Sequence, residues 1–203
     1  MLSDSAAVEA NVVADEDRLR ADVYRLLARF LTKPPTQPDL KFASSLEGGD
    51  TPVGKSVHAF ARVAASTDAA TADDEYHTLF IGVGRGELLP YGSYYLTGFL
   101  HEKPLARLRN DMATLGIAAN PDATEPEDHA AAVLDMMAGL IDGAFGEPLT
   151  LDKQKEFYDA HVGCWMPLFF RDLEGASSSV LYAALAQIGS RFLEIESAAF
   201  DMD

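Results

Sequence analysis

The sequence predicts an all-α fold, a single globular multi-helix domain. Three observations carry this. Apolar residues recur at spacings of three and four in successive segments, no segment alternates β-branched with polar residues over a strand's length, and no Asn-Gly or Asp-Gly hairpin signal joins two alternating runs. With 203 residues, 48% of them apolar, the chain is long enough to bury one sizeable core without dividing in two. No repeat of fixed period is visible, which excludes a solenoid.

Residues 1–14 are small, acidic and aperiodic and read as a mobile leader, with the folded domain over 15–199 and an acidic tail over 200–203. From Asp15 to Leu31 the positions Leu19, Val23, Leu26, Leu27 and Phe30 mark one face of an amphipathic helix, which Lys33-Pro34-Pro35 stops. Thr51-Pro52 supplies a cap and a first-turn proline for a second helix carrying Val53, Val57, Phe60 and Ala64. A short helix from Thr71 holds Tyr76, Leu79 and Phe80 and runs into a loop at Gly82-Val83-Gly84-Arg85-Gly86.

Pro104 opens a helix with Leu105, Leu108, Met112 and Leu115 inward, and Gly116 stands where a left-handed cap belongs. Pro126 opens the most strongly patterned helix, with Glu127 and Asp128 in its first turn and Val133, Leu134, Met137, Leu140 and Ile141 on one face. Thr150 can cap the segment holding Phe157, His161 and Trp165. Pro167 is expected to break or kink that segment before Phe169 and Phe170, giving two short helices. The serines at 177–179 precede a closing helix with Val180, Leu181, Leu185, Ile188, Phe192 and Ile195.

The balance of charge narrows the partners. Thirty-two Asp and Glu against 16 Lys and Arg leave a formal charge of −16, which repels nucleic acid and favours a cationic partner. The single cysteine, Cys164, has no partner for an internal disulfide, and six methionines without a cysteine cluster fit a reducing compartment; the expectation is cytoplasmic. The N-terminus lacks the basic and apolar regions of a secretory signal, and no apolar run approaches the length that spans a bilayer, so neither export nor membrane insertion is expected.

Candidate chemistry is sparse. The glycines at 82, 84 and 86 lack the preceding strand and spacing of a dinucleotide fingerprint and are followed by no Walker lysine. The five histidines form no His-Glu-x-x-His pair, and no metal or cofactor is called for. Cys164 follows His161 by three residues without a third orienting group, and reads as a buried small hydrophobe. Glu125-Pro126-Glu127-Asp128-His129 gathers three carboxylates and an imidazole, yet without a nucleophile, metal or cofactor it makes no complete catalytic set, and no enzyme is expected. The tyrosine-rich stretch Leu88–Tyr95 suits a partly wet recognition surface or a short core helix.

Four landmarks in order resemble the TorD/DmsD/NarJ family of molybdoenzyme maturation chaperones. They are Tyr76-x-x-Leu79-Phe80 before a glycine-containing loop, Pro90-Tyr91-x-Ser93 with tyrosines following, Glu125-Pro126-x-Asp128-His129 before a methionine-bearing helix, and Phe157-x-x-x-His161-x-x-x-Trp165-x-x-x-Phe169. The segment Phe99–Pro104 looks like the branch associated with formate dehydrogenase assembly.

The resemblance implies a TorD-like helical bundle that binds the twin-arginine signal peptide, and the apo catalytic subunit, of a molybdoenzyme. It places peptide contacts at Tyr76, Leu79, Phe80, Pro90, Tyr91, Asp128 and His129. Glu125, Glu127 and Asp128 would meet the arginines, and the aromatic and apolar residues would wall the peptide's apolar stretch. A homodimer by exchange of terminal helices is open to a chain of this kind, though no residue pattern specifies one. The competing reading is a permanent accessory subunit of an oxidoreductase, which would need a large apolar interface. Two departures bear on client preference: Gly92 stands where many members carry a larger residue, and Ala130-Ala131-Ala132-Val133 stands where leucine and glutamate are common.

Overall fold

A computed structural model describes residues 13–202; residues 1–12 of the expected leader lie outside that span. Among the described residues there are ten α-helices and no strand. The helices are α1 (Asp15–Thr32), α2 (Gln37–Ser44), α3 (Pro52–Ser66), α4 (Ala69–Tyr76), α5 (Gly92–Thr97), α6 (Lys103–Thr114), α7 (Ala130–Asp142), α8 (Leu151–His161), α9 (Met166–Gly175) and α10 (Leu181–Phe200). A π-helix, His77–Ile81, continues directly from α4.

Local chemistry sets most of the boundaries. Helix α1 begins in three acidic residues, Asp15, Glu16 and Asp17, at the positive end of its dipole. Its inward face is Ala21, Tyr24, Leu27, Ala28, Phe30 and Leu31, and Leu19, expected inside, is 66% exposed. The buried stripe therefore starts a turn later than the spacing implied. Helix α2 was not anticipated. It is nucleated by a capping box in which Thr36 and Asp39 satisfy each other's backbone N–H groups, with Pro38 in the first turn. Thr51 caps α3 as expected, its Oγ1 accepting from Gly54 N at 3.0 Å. Asp68 rather than Thr71 starts α4, its carboxylate accepting from Thr71 N at 2.8 Å.

Helix α7 begins at Ala130, four residues after the proline expected to open it. Residues 126–129 form a turn instead, with His129 N donating to Pro126 O at 3.0 Å, because the backbone around Asp128 is bonded to the chain before α5. Pro167 falls in the first turn of α9, after a break at 162–165. Helix α10 reaches Phe200, whose ring is buried against Tyr158, so the domain includes a residue expected in the tail.

Helix α1 packs along α7, α10 lies between α3 and α9, and α2 rests on α3. The core is rich in rings: Tyr24, Phe30, Phe60, Phe169, Phe170 and Tyr182 are all fully buried. Gly189 lets α9 and α10 approach closely, since a Cβ there would lie 2.6 Å from the Phe170 ring. One polar network crosses the core. Arg20 forks onto the buried Glu196 through Nε at 2.8 Å and Nη2 at 3.0 Å, and Tyr24 Oη donates to the same carboxylate, tying α1 to α10.

Candidate peptide-binding site

The family-like landmarks converge on one face of the bundle, where α4, the π-helix, the start of α5 and the turn before α7 meet. The π-helix displaces the chain from a regular 3.6-residue register, a feature concentrated at functional positions. It sets Leu79 fully inside and packs Phe80 edge-on against Tyr76, with centroids 5.0 Å apart, and against Tyr182 at 5.3 Å. Gly82, at φ +62°, closes it with an N–H bond to His77 O, a conformation that a residue with a side chain adopts only with strain.

Two short segments are then laced together. Tyr91 and His129 form an isolated antiparallel bridge; Gly92 N donates to Asp128 O at 2.9 Å and Ala130 N to Pro90 O at 2.8 Å. Asp128 is only 3% exposed, and its Oδ2 accepts from Ser93 N at 2.7 Å, tethering the first turn of α5. His129 caps α7, with Nδ1 accepting from Ala131 N at 3.2 Å, which leaves the ring proton on Nε2. Burial pushes its pKa down to about 4 against the opposing charges of Glu125 and Asp128, so the ring is neutral near pH 7. Its edge lies against the Tyr91 ring, centroids 5.2 Å apart.

The expected arginine contacts sort unequally. Asp128 faces inward and acts as a tether, not as a surface charge. Glu127 is already paired with Arg109 at 2.8 Å. Glu125 alone of the three is exposed, and it accepts a hydrogen bond from the Tyr91 hydroxyl. It also lies near Tyr76, whose hydroxyl is raised to about 12, first by burial and then by this charge. Tyr76, Leu79, Phe80 and Pro90 are all buried. They therefore form the floor beneath the surface, not an open wall, and half-buried Tyr91 is the part of the set that reaches solvent.

Several participants were not legible beforehand. Glu75, 8% exposed, accepts from the backbone N–H groups of Val180, Leu181 and Tyr182 at 2.8–3.1 Å, holding α10 to the segment that becomes the π-helix. Glu87 binds Ser177 and Ser178 on the far side of the glycine loop. Gly92 faces Trp165, with only 3.2 Å between a built Cβ and Nε1, and Trp165 Nε1 donates to His161 O. A side chain at this position would press on the indole, which would have to give way.

No group of three or more His, Cys, Asp or Glu able to hold a metal occurs among the described residues. His161 Nε2 bonds Asp111 at 2.7 Å, bracing α8 on α6. Cys164, expected to be buried, is exposed at the turn after α8, and its thiol bonds the Ala160 carbonyl.

The described residues form a helical bundle with one polar and aromatic surface built from the chain before α5 and the turn before α7. Comparison with known proteins identifies the family. A family model described as "Nitrate reductase delta subunit" matches residues 46–171, and the chain belongs to this TorD/NarJ family. A protein named Chaperone protein TorD from Vibrio cholerae (O395) is 29% identical over 134 residues, covering 63% of this chain and 61% of that protein. That match thus spans less than two thirds of the relative's length. Another of the same name from Vibrio atlanticus is 26% identical over 88% of this chain and 93% of its own. These relatives are named as chaperones, not as enzymes. A crystal structure described as that of a redox enzyme maturation protein from Archaeoglobus fulgidus superposes with a TM-score of 0.59 at 20% identity, covering 87% of this chain and 94% of that one. It shares the fold.

Proposed function

We propose that the chain is a maturation chaperone that receives the twin-arginine signal peptide of a molybdoenzyme catalytic subunit before that subunit is exported. The client is of the formate dehydrogenase or dimethyl sulfoxide/trimethylamine N-oxide reductase type, and the chaperone acts in the cytoplasm on the apo form. The supporting observation is the convergence of Tyr76, Phe80, Tyr91, Glu125 and His129 on one face. An exposed carboxylate stands there beside aromatic rings, in a protein of charge −16. A signal peptide presents basic residues followed by an apolar stretch, and this face offers Glu125 as a charge-assisted partner for the first and the half-buried Tyr91 ring, backed by the buried rings beneath it, for the second.

Helix α7 exposes no long apolar stripe for a permanent subunit contact; its residues Val133, Leu134, Met136, Met137, Leu140 and Ile141 are all inside. Calorimetric titration with a synthetic twin-arginine peptide tests the reading. Saturable binding is expected for the native chain, weakened by Glu125→Gln and by replacing both peptide arginines with alanine. Binding indifferent to both changes would refute the electrostatic basis. A chain that binds no such peptide and remains with the finished enzyme through purification is an accessory subunit instead.

A further inference from the structure

The loop between the π-helix and Pro90 carries a contact that the peptide-binding reading does not use. The guanidinium of Arg85 lies over the ring of Tyr94, 5.2 Å from its centroid, and its Nη2 donates to the Tyr94 hydroxyl. Both residues are accessible: Arg85 is exposed and Tyr94 half-buried on the first turns of α5, three residues from Tyr91.

Arg85 has no carboxylate partner among the described residues, although Asp and Glu outnumber Lys and Arg by 32 to 16. It is held by a neutral hydroxyl and a ring face at an exposed position, weak contacts that another guanidinium can replace.

The loop is built to release it. Its base is fixed: Gly82 N bonds His77 O, Glu87 N bonds Thr78 O and Leu88 N bonds Leu79 O. Gly86 packs so tightly on Leu79 and Phe80 that a Cβ would clash at 2.5 Å. Between these anchors Val83 is fully exposed and Gly84, at φ +89°, is in open space, while the Arg85 backbone lies against Gly82, where a built Cβ would meet the Arg85 carbonyl oxygen at 2.0 Å. The exposed Arg85 side chain can therefore leave the Tyr94 ring by turning about its own torsions, with the backbone of the loop and the π-helix in place.

Resting on the peptide-receptor reading above, we infer that Tyr94 is an arginine-receiving position of the peptide surface, and that Arg85 occupies it as an internal stand-in until a guanidinium of the incoming peptide displaces it. A ring face with a hydroxyl at its rim suits a planar guanidinium and discriminates against the compact, strongly hydrated ammonium of lysine. Tyr94 thus adds selectivity for arginine to the charge that Glu125 supplies.

Titration of the intact chain with a synthetic peptide bearing two consecutive arginines and an apolar stretch tests this. Removing the competitor in Arg85→Ala should tighten binding roughly two- to fivefold. Tyr94→Leu should weaken it and erase most of the preference over the same peptide with lysines. In the double variant the gain from Arg85→Ala should vanish. Arg62→Ala makes the same charge change on the exposed surface of α3 and should leave affinity unchanged. Tighter binding in Arg62→Ala equal to that in Arg85→Ala, or no tightening in Arg85→Ala, overturns the inference while native binding leaves the receptor reading intact. No binding by the native chain overturns both.

Discussion

His129 makes the site acid-sensitive, and the size of the effect follows from its burial. The ring is 5% exposed, and its pKa falls from 6.5 to about 4, first by desolvation, with Glu125 and Asp128 pulling the other way. Because the folded value lies below the unfolded one, the unfolded chain binds a proton that the folded chain refuses. Stability is therefore full above about pH 6.5 and is lost as pH falls towards about 4. The whole shift corresponds to about 3 kcal/mol, and lowering the pH from about 7.5 to about 5 removes about 2 kcal/mol of it.

His129→Asn isolates the contribution, since asparagine also accepts the Ala131 N–H at a helix N-cap but does not titrate. Urea unfolding of both proteins at the two pH values measures the difference. His161, whose pKa burial also lowers, is present in both and cancels. The native chain should lose about 2 kcal/mol more than the variant between the two conditions. Equal acid sensitivity would refute the assignment of His129 as a buried neutral cap.

Other perturbations separate framework from contact surface. Asp128→Ala orphans the buried Ser93 N–H and should cost about 1.5–3 kcal/mol, lowering Tm by roughly 3–12 °C in calorimetry; lost peptide binding at unchanged Tm would instead mark Asp128 as a direct contact. Glu75→Ala removes the acceptor of three backbone N–H groups at the start of α10 and should destabilise by about 3–5 kcal/mol in urea, with amide exchange of Val180, Leu181 and Tyr182 accelerating first. Gly92→Leu drives a side chain into Trp165 and should cost about 1–3 kcal/mol, reporting through altered indole fluorescence.

The helices were legible because burying one stripe of a 3.6-residue period leaves that period in the sequence, as in α6 with Leu105, Leu108 and Met112. The failures have physical causes. Helix α2 is two turns long and too short to show a period, though Thr36-x-x-Asp39 was a readable capping box. The π-helix breaks the very period by which helices are recognised, so Leu79 and Phe80 read as ordinary helical positions. The start of α7 was misplaced because proline favours a first turn locally, whereas Asp128 and Gly92, 36 positions apart, decide the matter through a backbone bond. Partners remote in sequence likewise hid the roles of the carboxylates. Glu127 and Asp128 look alike in sequence, and only the fold pairs one with Arg109 and turns the other inward to Ser93.

That sorting changes where electrostatics acts. Of the three carboxylates in Glu125–Asp128, one is neutralised by an ion pair and one is out of solvent, so close-range attraction to a cationic segment falls chiefly to Glu125. The remaining excess of negative charge is spread over the molecule, and spread charge acts on encounter more than on the formed complex. Salt screens interactions beyond about 8–10 Å at moderate ionic strength. Association with a twin-arginine peptide should therefore slow as salt rises, while dissociation, governed by Glu125 and the aromatic surface around Tyr91, should change little. Stopped-flow measurement of both rates across a salt series checks this. A dissociation rate that climbs as steeply as association falls would mean that a distributed acidic surface, and not the Tyr91–Glu125 pair, holds the bound peptide.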